Sequence, residues 1–155
     1  MNYNKRYSLP HWDKLRNAYE DVFLQIANNT PQEFFDEIHD IYFGKFFRYE
    51  HEGKQKIYGN AMGVEASDRQ IDNLLKIQEK FGVEVSLTMN SLNVPHEILY
   101  DKKIHFQFID WIQELYDKGL RSCTIASEHL IRFGVLQERM PEMRWKSTVN
   151  QICAD

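Results

Sequence analysis

Val83–Asn90 (VEVSLTMN) and Ser122–Ser127 (SCTIAS) decide the fold. Both are short, apolar and rich in β-branched residues, and each lies between helical patterns. Ile71, Leu74, Leu75, Gln78 and Phe81 mark an apolar helix face before the first stretch. Ser67-Asp68-Arg69-Gln70 opens that helix as a capping box and Gly82 closes it. Phe108, Ile109, Ile112, Leu115 and Tyr116 mark another helix, ending at Lys118-Gly119, before the second stretch. Strands alternating with helices of this length indicate parallel β/α units.

Working outward, Ile38–Phe43 precedes these stretches as a strand and Arg144–Val149 follows them. A helix from about Glu128 to Gln137 links Ser122–Ser127 to Arg144–Val149. The expected fold class is therefore α/β: a partial, half β/α barrel with about four parallel strands and N-terminal helices. A complete eight-unit barrel needs about 250 residues, and this chain has 155. Val83–Met89 does not alternate cleanly between apolar and polar side chains. Its Ser and Thr suit a barrel interior.

The expected organisation is 1–37 as N-terminal arm and helices and 38–155 as the partial barrel, the two forming one structural unit. Met1–Pro10 reads as an exposed arm. Trp12, Leu15, Tyr19, Val22, Phe23 and Ile26 form one apolar helical stripe. Thr30-Pro31-Gln32-Glu33 reads as a new helix start, with Thr30 capping and Pro31 in the first helical position. Residues 45–66 form a long polar and aromatic connection in which Lys54–Tyr58 can pair with Phe46–Tyr49 across Gly53.

The net charge of −4 argues against a generic nucleic-acid surface. RNA contact by the basic and aromatic run Arg48–Lys56 is left as a weak alternative to a solvated loop. Two cysteines without a CxxC spacing argue against a disulfide framework. With no apolar run of membrane-spanning length and no signal core, the expected location is cytoplasmic, without a membrane partner.

In a parallel β/α array the groups at strand C-termini face the mouth. Here these are Gly44 and Lys45, then Asn90, Ser91 and Asn93, then Ser127, Glu128 and His129, then Asn150 and Gln151. The amides and hydroxyls suit binding of a polar substrate. Glu128 and His129 are the adjacent titratable pair and the candidate catalytic residues. The structural alternative makes Glu128 a first-turn acid favoured by its helix dipole. None of the six histidines forms HxH or HExxH, so no metal is expected. Cys123, inside a strand, reads as a small hydrophobe. Gly59-Asn60-Ala61-Met62-Gly63 is too weak a motif to indicate phosphate binding.

The order of segments resembles the collagenase-like peptidase family. Asp40-Ile41-Tyr42-Phe43-Gly44 resembles its D-x-Y-x-G opening strand, and Val85–Ser91 its V-x-V-T-x-N second strand. Gly119-Leu120-Arg121 resembles its G-V-D lead-in to the third. Ser147-Thr148 with Asn150-Gln151 loosely resembles its S-T-Q-x-N fourth strand. The resemblance spans roughly Ile38 to Gln151. It implies a barrel domain with peptidase-like hydrolase activity or a part in RNA modification. Several members hold an iron–sulfur cluster on cysteines. That cysteine cluster has no counterpart here, so no cofactor is expected. The missing strands are expected from a second copy, making a homo-oligomer, or from a second polypeptide. The alternative is a non-catalytic scaffold of the same fold.

Overall fold

The computed structural model describes residues 7–11, 21–132 and 134–148. Its centre is a five-stranded sheet: β1 (Tyr7–Pro10), β2 (Ile38–Gly44), β5 (Glu84–Met89), β6 (Ser122–Ile125) and β7 (Arg144–Ser147). All four pairings are parallel. The strands follow one another across the sheet in chain order. Between β2 and β5 the chain makes a hairpin, β3 (Phe47–His51) with β4 (Lys54–Tyr58). The longer helices are α3 (Asp68–Phe81) and α5 (Lys102–Asp117). Short ones are α1 (Val22–Asn28), α2 (Gln32–Asp36), α4 (His96–Tyr100), α6 (Glu128–Arg132) and α7 (Val135–Arg139). Among the described residues no helix is long and apolar enough to cross a membrane.

The two sheet faces differ sharply. Ile41, Phe43, Val85, Leu87, Met89, Cys123 and Ile125 share one face by strand alternation. They lie in one buried cluster with Ile71, Leu74 and Ile77 of α3 and Phe108, Ile109 and Ile112 of α5. The other face carries Asp40, Tyr42, Glu84, Ser86, Thr88, Ser122, Thr124, Arg144 and Lys146. Val83–Met89 thus alternates by chemistry after all. Glu84, Ser86 and Thr88 alternate with Val83, Val85, Leu87 and Met89 in the sequence itself, and Ser86 and Thr88 are buried as well.

Several expectations are corrected. Tyr7–Pro10 is not a free arm but an edge strand paired with β2. The strands of the parallel sheet therefore number five, not about four. The pattern is hidden because only Leu9 of this segment packs on the core. Pro10 is tolerated at the end of an edge strand. Thr30 does not cap α2. Its hydroxyl donates backwards to the Ile26 carbonyl at 2.8 Å, leaving Pro31 at the cap. Ile26 is 57% exposed, and its neighbour Ala27 is the buried residue. Trp12, Leu15 and Tyr19 of that stripe lie outside the described residues. The helix from Glu128 is interrupted before Gly134, which takes φ +75° and starts α7.

The capping box at Ser67–Gln70 is present, with both reciprocal hydrogen bonds. The hairpin is fastened rather than loose. Phe47 and Tyr49 are buried, and Phe47 packs edge-on against Phe108 of α5, with ring centroids 5.3 Å apart. On the same face Lys56 Nζ donates to Glu97 of α4 at 2.6 Å and the Tyr49 hydroxyl donates to the same oxygen at 2.9 Å. The Lys56 hydrogen bond is the largest cause holding the Glu97 carboxyl down to about 2.

A carboxyl whose folded pKa lies below its unfolded value stabilises the fold above the unfolded value. That contribution is lost as the pH falls through the folded one. Glu97→Gln is therefore expected to lose roughly 1–2 kcal/mol at neutral pH. Between pH about 4 and about 2 the variant should change less than the parent chain. Denaturant unfolding across that range checks both slopes.

Candidate functional site

Parallel β/α sheets place ligand sites at the C-terminal ends of their strands. A cavity of about 110 Å³ sits there, at the ends of β1 and β2. Pro10 and His11 come from β1 and the residue after it, Tyr42 and Gly44 from β2, and Asn60, Met62 and Val64 from the loop after the hairpin. The His11 amide donates to the Tyr42 carbonyl at 2.8 Å, extending the β1–β2 ladder to the cavity wall. His11 is 8% exposed.

The loop closes on β2 because residue 44 is glycine. A Cβ there would lie 2.3 Å from the Val64 carbonyl oxygen and 2.8 Å from Asn60 Nδ2. The loop is internally tied. Asn60 Oδ1 accepts from the Met62 amide at 2.6 Å, and the Asn60 carbonyl accepts from the Gly63 amide at 3.2 Å. Asn90 Oδ1 accepts from the Ala61 amide at 2.9 Å. The amides of Ala61, Met62 and Gly63 are thus all engaged, which leaves this glycine-bearing loop no nest for a phosphate.

The residues expected at the mouth are dispersed. Asn90 and Ser91 fasten the loop: Asn90 through its side chain, Ser91 through its amide to the Gly59 carbonyl at 3.0 Å. Asn93 is exposed and Ser127 is buried before α6. Glu128 faces Arg132 in an i,i+4 ion pair at 3.3 Å, and His129 is exposed. Neither lines the cavity. Asn150 and Gln151 lie outside the described residues. His11 and Tyr42 escaped the sequence reading because β1 carries almost no apolar pattern and Tyr42 sits inside an aromatic run.

A second polar group occupies the N-terminal half of the same sheet face. Lys146 Nζ of β7 lies 2.7 Å from Asp40 Oδ2 of β2 and 2.7 Å from Glu84 Oε1 of β5. Arg144 also pairs with Glu84. Burial alone would raise the Asp40 carboxyl. Hydrogen bonds from Lys146 and Ser8, with the charges of Lys146 and His39, overcome it and hold the carboxyl below its usual range. His39, Asp40 and Glu84 bring ligand atoms within 4.8 Å of one another. The Lys146 ammonium already supplies the charge that a cation would bring there. Beneath these groups Ser122 Oγ donates to Ser86 Oγ at 3.1 Å, fully buried.

Lys146 also reports the shape of the sheet. Through Thr124 and Thr88 it aligns with Gly44, three strands away and four residues beyond Asp40. On a flat sheet the Lys146 and Asp40 Cα atoms would be roughly 19 Å apart. A lysine and an aspartate in contact span about 12 Å at most. The sheet therefore bends, with its polar face concave.

Cys123 points to the apolar face, and burial pushes its thiol up to about 12 against the influence of Lys146. It is no nucleophile at neutral pH. No protein-family model, curated protein or solved structure matches the chain.

Lys146→Met removes the shared ammonium and leaves two neighbouring carboxylates, with Asp40 only 6% exposed. A loss of about 2–3 kcal/mol at neutral pH is expected. The loss should shrink in acid, where the orphaned Asp40 carboxyl takes up a proton, Glu84 keeping Arg144 as its partner. Denaturant unfolding of parent and variant at both pH values measures it.

Proposed function

We propose that this chain is a half β/α barrel that binds a small molecule at the C-terminal ends of β1 and β2. Two features support the barrel part of the reading: parallel strands arranged in chain order, and a concave polar face spanned by Lys146. Right-handed crossovers that always advance in one direction put their helices on one face, as barrels require. The ligand part rests on a single observation, the cavity walled by His11, Tyr42 and Asn60 where such folds bind ligands.

The reading is one of binding. Among the described residues, the cavity brings together one imidazole, one phenol and one carboxamide, with no carboxylate or thiol among its walls. We base no hydrolase or RNA-modifying activity on it.

Amide chemical-shift mapping with a panel of small soluble metabolites tests the reading. Binders are expected to move the resonances of Gly44, Asn60 and Val64 together. Gly44→Ala should abolish those shifts by displacing the loop from β2. Tyr42→Phe, which keeps the wall and loses the hydroxyl, should weaken binding about tenfold. Shifts confined to other parts of the chain, or unchanged binding in both variants, would overturn the proposal.

A further inference from the structure

The composition of the cavity wall limits what can enter it, and the following rests on that cavity being the ligand site. Its volume of about 110 Å³ falls below the roughly 300 Å³ of ordinary small-molecule sites. A cavity of about 150 Å³ is known to hold benzene. The present space is smaller still, so it takes one ring at most, with any larger part of a ligand reaching out past the exposed Met62.

Charge narrows the class. Among the described residues, no Asp, Glu, Lys or Arg lines the cavity. A carboxylate, phosphate or ammonium entering it would lose hydration without meeting a counter-charge. The loop amides that would otherwise receive an anion already bond Asn60 and Asn90. Pro10, Met62 and Val64 supply apolar surface for a ring.

Hydrogen-bond polarity narrows it further. The Met62 amide fixes Asn60 Oδ1 as the acceptor of that bond. The remaining Asn60 atom, Nδ2, is a donor. It lies beside Gly44 on the cavity wall, 2.8 Å from where a Cβ would stand.

We infer that the site takes a neutral six-membered ring bearing a carbonyl or ring-nitrogen acceptor, placed against Asn60 Nδ2. The faces of the ring pack on Pro10, Met62 and Val64, and the Tyr42 hydroxyl serves a second edge position. No covalent step is involved.

The test compares four probes on the full chain by amide chemical-shift titration: pyridone, benzene, benzoate and protonated aminopyridine. Pyridone is expected to bind about tenfold tighter than benzene, and benzoate and aminopyridinium more weakly than either. Asn60→Asp keeps the acceptor that holds the Met62 amide but replaces the donor with a carboxylate oxygen. In that variant the preference should reverse, with aminopyridinium binding and pyridone lost. Benzoate binding as tightly as pyridone, or an unchanged preference in Asn60→Asp, would overturn the ligand class while leaving the site intact. If none of the four moves Gly44, Asn60 and Val64, the site itself is lost along with the inference.

Discussion

One ammonium group sets the shape of this protein. Lys146 reaches two carboxylates, Asp40 and Glu84, that begin on strands two and three places away in the sheet. A flat sheet holds these groups out of reach, so the contact exists only in a sheet that curls around its polar face. Curling has a consequence on the opposite side. The convex face must be covered by helices across its width, and α3 and α5 provide that cover with Ile71, Leu74 and Ile77 and with Phe108, Ile109 and Ile112. The bridge on one face and the apolar packing on the other thus require the same curvature.

Buried polar faces are costly unless every group is answered. Here the answers are local and short-range, although the Glu84 oxygens are met by cations and accept no hydrogen bond. Ser86 meets Ser122, and Lys146 meets two acids. Arg144 adds a second cation to Glu84. Removing one member strands the others, so this face behaves as a unit in a way that the apolar face does not. A hydrophobic core tolerates single substitutions by partial relaxation. An orphaned buried carboxylate has no comparable relaxation short of taking up a proton.

Much of this was legible in the sequence, for identifiable reasons. β2, β5 and β6 declare themselves by apolar, β-branched or aromatic residues, and α3 by Ser67, Gln70 and Gly82, because those signals are local. The hairpin across Gly53 is local too. β1 is invisible because an edge strand with one inward residue has almost no pattern to read. Lys146, Asp40 and Glu84 are scattered over the chain, and only the strand register and its curvature bring them together. The cavity is harder still. Its members come from the end of β1, from β2 and from a loop, and the residue that makes it possible, Gly44, matters for the side chain it lacks. The strand-end rule named Gly44, which lines the cavity, and Asn90 and Ser91, which brace the loop, but not His11 and Tyr42, which line the space with it.

The placement of charge along β2 connects these observations. Asp40, Tyr42 and Gly44 occupy successive inward positions of one strand. The first joins the ionic bridge, and the other two wall the cavity. Asp40 and Glu84 are balanced by Lys146 and Arg144, so the bridge carries no net charge to project towards the strand ends. A bridge with an unmatched acid would draw cations to the mouth, and one with an unmatched lysine would draw anions. With the charges cancelled where the sheet is bent, selection at the mouth falls to shape and to hydrogen-bond direction. The sheet can therefore hold two largely buried carboxylates, with the cations that answer them, close to a site whose described walls carry no charge.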